Sequence, residues 1–369
     1  MNILISTEPD DAHAAIVKLA LESKSHQCLL WFTADLPTKQ TNSIYLSIKK
    51  QWWFLENESE RPITNSNDID IIWWRRARQP FVKDKLVKAD YDFVKKENTL
   101  FHNSVPLILA KDAFWINPYE AISQANSKLL QLKLALQCGF KIPPSLVSNS
   151  PTKIKEFISS YKNKKVIYKP FSAHYWYEED KLKLFYTKTV GVEQLPPDKV
   201  LQLTPGIFQQ YIKKKYELRI TCFGTHIIAA KIYSQEHPKG LTDWRYIPPN
   251  ELKVEPYCLP YLLEKKIRNY MDALGIVFGC FDFIVTPDEE YYFLEVNQQG
   301  QFLWIEDRCP SINLLDRFVK FILNKNSNFR YNERDIISLA DYEKRASIII
   351  QENIKNHIML NNLKAADVA

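Results

Sequence analysis

At 369 residues the chain exceeds one compact core, so two or three subdomains are expected. A hydrophobic fraction of 46% and a charged fraction of 25% exclude global disorder. A net charge of +6 suits phosphate-bearing ligands or an acidic peptide but falls short of a dedicated nucleic-acid binder. The six scattered cysteines, with no C-x-x-C pair and no His/Cys cluster, point to reduced thiols in a cytosol and not to a disulfide frame or a zinc site.

The opening MNILIST is apolar and then turns acidic at Glu8, Asp10 and Asp11, unlike a signal peptide, and no window approaches the roughly 18 apolar residues of a membrane span. A cytoplasmic protein with no membrane and no nucleic-acid partner is the expectation. Ile3-Leu4-Ile5 reads as a buried strand, Asp11 to Leu21 has helical periodicity, and Asp70 to Trp74 is a further apolar run followed by Arg75, Arg76 and Arg78. Strands alternating with helices over the first 115 residues predict an α/β layer with a partly parallel sheet. There is no Gly-rich phosphate loop, and only 8 glycines in all, so phosphates would be held mainly by side chains.

A helix is expected from Asn126, ended by Gly139 and by Ile142-Pro143-Pro144. VIYKPF (Val166 to Phe171) is strand-like, and a hairpin follows with arms Tyr175-Trp176-Tyr177 and Leu182 to Phe185 and an acidic tip, Glu178-Glu179-Asp180. Leu218 to Phe223 and His226 to Tyr233 flank Gly224-Thr225, a two-residue hairpin turn. Leu259 to Leu274 reads as an amphipathic helix closed by Gly275, and Cys280 to Val285 and Tyr291 to Asn297 read as paired strands. Ile312 to Leu323 is another helix, and the remainder a helical, charged tail.

The paired strands carry chemistry. Asp282 lies between Phe281 and Phe283 and points away from both, while Phe293, Glu295 and Asn297 are expected on one face. Pairing would bring Asp282, Glu295 and Asn297 together as three hard oxygen donors of the kind Mg²⁺ takes. The competing reading is a solvated sheet face. Arg219, off an otherwise apolar strand, needs an anionic partner, and Arg245 sits in a loop between apolar segments; a surface salt bridge would also account for either. Lys213-Lys214-Lys215 reads as a solvated turn. The seven histidines are dispersed and read as structural, and Trp52, Trp53, Trp73 and Trp74 as core or interface.

Taken in order, the WWRR stretch, NSKLLQL (Asn126 to Leu132), VIYKPF, FQQYIKKKYELRI (Phe208 to Ile220), TDWR (Thr242 to Arg245), CFDFIV and FLEVNQQGQFLWIE (Phe293 to Glu306) resemble the ATP-grasp ligases. More narrowly, they are similar to the peptide-maturing members that make microviridins and other graspetides. The resemblance implies an ATP-grasp α/β fold with a pre-grasp domain (1–116), a central lobe (117–205), a C-terminal lobe (206–325) and a tail (326–369). It implies ATP and Mg²⁺ as cofactors, with Lys128 and Lys169 on the phosphates, Gln209, Gln210, Tyr211 and Ile212 at adenine, and Glu217 on the ribose. Asp282, Glu295 and Asn297 would hold the metal, and Arg219 and Arg245 the transferring phosphoryl group and the carboxylate.

The reaction implied is ATP-dependent joining of Asp or Glu side chains of a precursor peptide to Ser, Thr or Lys side chains, giving macrocyclic esters or amides. The hairpin, with Tyr175, Glu178, Glu179 and Asp180, would receive the leader segment of that peptide, or else close over ATP. An amino-acid-adding ligase of the ribosomal-protein glutamate ligase type and a nonenzymatic ATP-binding regulatory module stay open. Oligomeric state also stays open, with a homodimer as one option.

Overall fold

The computed structural model describes residues 1–49, 51–57, 60–63, 68–82, 87–110, 112–161, 165–171, 174–178, 181–185 and 187–360. Asp11, a carboxylate ahead of an alanine-rich run, caps the first helix by accepting from the His13 amide at 3.1 Å. The chain opens as β1 (Asn2–Thr7), α1 (Ala12–Glu22) and β2 (Gln27–Phe32), then an antiparallel sheet of β3 (Gln40–Leu46), β4 (Gln51–Asn57) and β5 (Glu60–Ile63). It continues as β6 (Ile71–Trp74), α2 (Lys88–Ile108) and β7 (Phe114–Ile116). The order β2-β1-β6-β7 is parallel throughout, and Ile3, Leu4, Ile5, Ile71 and Ile72 are buried, as uninterrupted apolar strands require. Trp53, Trp73 and Trp74 are buried in the core as expected.

Next come α3 (Tyr119–Ala125), α4 (Lys128–Gln137), β8 (Ser145–Ser148), α5 (Pro151–Ser160) and β9 (Val166–Lys169). The hairpin arms are β10 (His174–Glu178) and β11 (Lys181–Phe185), paired from His174 opposite Phe185 to Glu178 opposite Lys181; its tip residues Glu179 and Asp180 lie outside the described residues. After β12 (Lys188–Val190), α6 (Asp198–Leu201) and β13 (Gly206–Gln210), a four-stranded antiparallel sheet runs β12-β9-β13-β8.

The last part holds β14 (Tyr216–Phe223), β15 (His226–Ile232), β16 (Val254–Tyr257), α7 (Tyr261–Leu274), β17 (Phe278–Val285), β18 (Tyr291–Asn297), α8 (Leu303–Arg308), α9 (Leu314–Asn324) and α10 (Glu343–Asn356). Strands β16-β15-β14-β17-β18 form one antiparallel sheet. Period-two alternation divides its faces. Leu218, Ile220, Cys222, Phe281, Phe283, Phe293 and Val296 pack on α4 and α7 in one core. On the opposite face Phe223, Phe278 and Cys280 join the core shared with α1, β1 and α9, and farther along the same strands stand Glu217, Arg219 and Asp282.

Among the described residues of the tail, Glu343–Asn356 is the α-helical part, and the tail packs back on the N-terminal layer: Tyr342 and Ala346 are buried in that shared core, and His357 Nδ1 lies 2.6 Å from Asp35 Oδ2. Among the described residues no helix is long and apolar enough to cross a membrane.

Candidate active site

A cavity of about 410 Å³ opens between the four-stranded sheet β12-β9-β13-β8 and the five-stranded sheet, within the size range of ligand sites. Lys169 reaches it from β9, Gln210, Tyr211 and Ile212 from the end of β13, and Lys128 from the first turn of α4. Glu217, Arg219, Asp282, Glu295 and Asn297 come from the polar face of the five-stranded sheet, and Asp243, Trp244 and Arg245 from the loop before β16.

Strand register aligns the centre. Arg219 on β14, Asp282 on β17 and Glu295 on β18 occupy one cross-strand row, and Cys280 opposite Asn297 forms the next. Glu295 and Asn297 do face the same side, but Phe293 does not join them. A β-bulge breaks the register after Asp282, pairing Phe283 with Phe293 and leaving Leu294 as the extra residue. The bulge lets Phe293 enter the apolar core while Leu294 and Glu295 both line the cavity. Gln131, one turn beyond Lys128, clamps β18 beside Glu295, donating to the Val296 carbonyl and accepting from its amide, each at 2.9 Å.

Arg219 Nη1 donates to both oxygens of Asp282, at 2.9 and 2.8 Å, which supplies the anionic partner its sequence position demanded. Its Nη2 donates to the Gln301 carbonyl at 2.8 Å, and its buried Nε has no hydrogen-bond partner among the described residues. Burial, with Glu295 adding to it, raises the Asp282 carboxyl above its ordinary value in spite of Arg219. Burial would raise Glu295 too, but Lys128, Lys169, Arg245 and Arg219 outweigh it and hold this carboxyl low. Lys128 Nζ lies 3.5 Å from Glu295. Burial, reinforced by Lys128 and Arg245, depresses Lys169 against the pull of Glu295. A group of cations held together around one carboxylate pair is poised for added negative charge.

Arg245 grips Asp243 through Nε at 2.8 Å and Nη2 at 2.7 Å while remaining 47% exposed, and Asp243 is buried. Trp244 stacks on Trp304 at 4.5 Å between centroids. Two expectations are corrected. Lys214 is not in a solvated turn: it is buried, lines the cavity, and donates to Glu217 at 2.6 Å and to the Thr242 carbonyl at 3.1 Å. Burial nonetheless raises Glu217. Nor does Gln209 line the cavity. It alternates with Gln210 along β13, and its Nε2 donates to Ser145 at 2.8 Å. Sequence reasoning missed Lys214 because one buried lysine inside a run of three carries no periodic signal of its own.

Asp282, Glu295 and Asn297 supply the hard oxygens that suit Mg²⁺, in one layer and facing the cavity. Asn297 Oδ1 also accepts from the Gln299 and Gly300 amides at 3.0 and 3.2 Å, which fixes its direction. Among the described residues, no three His, Cys, Asp or Glu side chains gather into a metal-holding group, so a metal here would rest on two carboxylates and the Asn297 amide.

No family model matches the chain, and no curated protein matches its sequence. Solved structures do. A RiPP-associated ATP-grasp ligase of Chryseobacterium gregarium, in complex with ADP and a leader and core peptide, superposes with a TM-score of 0.77 at 28% identity, over 90% of this chain and 99% of that one. The macrocyclase MdnC of Microcystis aeruginosa, bound with precursor peptide MdnA, gives 0.75 at 28% identity, over 88% of this chain and 100% of that one. The macrocyclase MdnB of the same organism gives 0.71 at 27% identity, over 86% and 99%. The chain thus has the ATP-grasp fold, and over most of its length it is similar to ATP-grasp ligases of the graspetide type.

Proposed function

We propose that the protein uses ATP and Mg²⁺ to join Asp or Glu side chains of a precursor peptide to Ser, Thr or Lys side chains, closing macrocyclic esters or amides. The observation that carries this is the row Arg219, Asp282, Glu295 facing Lys128 and Lys169 across one cavity, in a chain matched over most of its length by precursor-binding macrocyclases. Lys128 and Lys169 would receive phosphate oxygens in place of a glycine-rich loop, Gln210, Tyr211 and Ile212 adenine, and Glu217 with Lys214 the ribose side. Asp282, Glu295 and Asn297 would hold the metal, whose chemistry is neutralisation of phosphate charge.

A substrate carboxylate oxygen attacks the γ-phosphorus, the bond to the β-phosphate oxygen breaks, and ADP leaves. The acceptor hydroxyl or amine then attacks the acyl carbon, loses its proton, and inorganic phosphate departs. Arg219 and Arg245 supply fixed positive charge at the phosphoryl and acyl oxygens, and no covalent protein intermediate is needed. The leader segment docks on the β10–β11 hairpin through Tyr175 and the acidic tip at Glu178, Glu179 and Asp180. A reducing cytoplasm suits the six cysteines, none in a disulfide.

Hydroxylamine trapping tests the reading. With ATP, Mg²⁺ and a precursor, hydroxylamine should yield hydroxamates on Asp or Glu with matching ADP release. ADP release indifferent to peptide, without hydroxamate, would contradict it.

A further inference from the structure

We infer that His13 and Arg75 are positioning residues for the ligation: from the N-terminal α/β layer they clamp the loop 298–303, and through the Gln301 carbonyl they set Arg219 beside Asp282. The inference rests on the ligase reading, but its geometry is independent of any ligand. Neither side chain lines the cavity.

Arg75 follows β6 and is fully buried. Its Nε donates to Asp11 at 2.6 Å, and its Nη1 donates to the Gln299 carbonyl at 2.6 Å and to the Gly300 carbonyl. Asp11 is itself locked, accepting from Thr7 Oγ1 at 2.7 Å and capping α1. One turn of α1 therefore anchors both grips, because His13 lies two residues past Asp11. His13 Nε2 accepts from the Phe302 and Leu303 amides at 3.0 and 3.1 Å, two donors that the start of α8 leaves without intrahelical partners. Burial and the neighbouring Arg75 depress the imidazole to about 3, so it stays neutral and able to accept.

Between the grips lies Gln301. The carbonyls of Gln299 and Gly300 turn to Arg75, whereas that of Gln301 accepts from Arg219 Nη2 at 2.8 Å and from Trp304 Nε1 at 3.0 Å. Asn297 closes the loop from the other side through the Gln299 and Gly300 amides. A stretch fixed at both flanks from a layer that contributes nothing to the cavity wall leaves Arg219 little freedom. Charge stabilisation depends on such preorganisation.

The test compares His13→Leu, which removes the acceptor, with His13→Gln, whose amide oxygen falls about where Nε2 stands. Peptide joining is measured at saturating ATP, the KM for ATP separately, and amide hydrogen exchange over 299–304. His13→Leu should lower kcat about tenfold or more with KM for ATP changed less than about twofold, expose the 302 and 303 amides, and be largely rescued in His13→Gln. Arg75→Lys, which keeps a charge for Asp11 but cannot fork to the carbonyls, should also lower kcat, and it decides the matter if His13→Leu fails to fold. Wild-type kcat in a folded variant with an exposed loop would overturn the inference, as would a loss that Gln does not rescue. If the wild-type chain joins no peptide, the ligase reading fails, and exchange alone judges the clamp: unchanged protection over 299–304 in His13→Leu overturns it.

Discussion

Arg219 on β14 lies directly across from Asp282 on β17, and a single guanidinium nitrogen donates to both carboxylate oxygens, at 2.9 and 2.8 Å. A proposed catalytic cation and a proposed metal ligand thus hold each other. Loss of either has two consequences that experiment can separate.

Asp282→Asn should abolish turnover and also cost about 1–3 kcal/mol of stability, because Arg219 is left buried without its counter-charge. Glu295→Gln should abolish turnover with a stability change within roughly 0.5 kcal/mol, since Glu295 is part-exposed and paired only loosely with Lys128 at 3.5 Å. Denaturant titration beside activity at several Mg²⁺ concentrations checks both, and near-normal activity in either variant would remove that residue from the metal site.

Arg245→Ala should lower kcat by roughly 10² while leaving ATP affinity nearly unchanged, as for loss of one donor to charge that develops only during reaction. Poor ATP binding with normal turnover at saturation would place Arg245 in the nucleotide pocket.

Replacing Glu178, Glu179 and Asp180 together by serine should weaken leader affinity by more than the roughly 0.5 kcal/mol scatter of neutral surface changes. ATP affinity should hold. Calorimetry showing the reverse would assign the hairpin to closure over nucleotide.

Stability should fall on mild acidification. Burial depresses buried His102 to about 4, below its ordinary 6.5, so between those values the unfolded chain binds the proton more readily. The stability is complete above about pH 6.5 and declines as pH drops toward 4, by at most about 3 kcal/mol for this one group. His226, depressed to about 4, and His13, to about 3, steepen the decline. Urea unfolding from pH 4.5 to 7.5 should show a shallower slope in His102→Phe than in wild type; identical slopes would exclude His102 as a contributor.

Much of this site was legible because alternation and motif order act locally. Asp282 between two phenylalanines faces away from the core, and Arg219 among apolar neighbours calls for an anion. What sequence could not show depends on contacts far apart in the chain or on a single irregular residue. The bulge at Leu294 turns Phe293 from the face of Glu295, and nothing in YYFLEVN marks that extra residue. Lys214 is buried only because Glu217 and the Thr242 carbonyl meet it. His13, one of seven dispersed histidines, gains its role from amides 289 and 290 residues away.

Bond formation within a peptide is read directly from the mass of the product. Incubated with ATP, Mg²⁺ and a precursor peptide carrying its leader, the protein should return that peptide lighter by one water for each bond formed. The bonds should map by fragmentation to Asp or Glu joined with Ser, Thr or Lys. A peptide grown heavier by amino-acid residues would make the protein a chain-extending ligase, and ATP bound with the peptide unaltered would contradict a ligase role altogether.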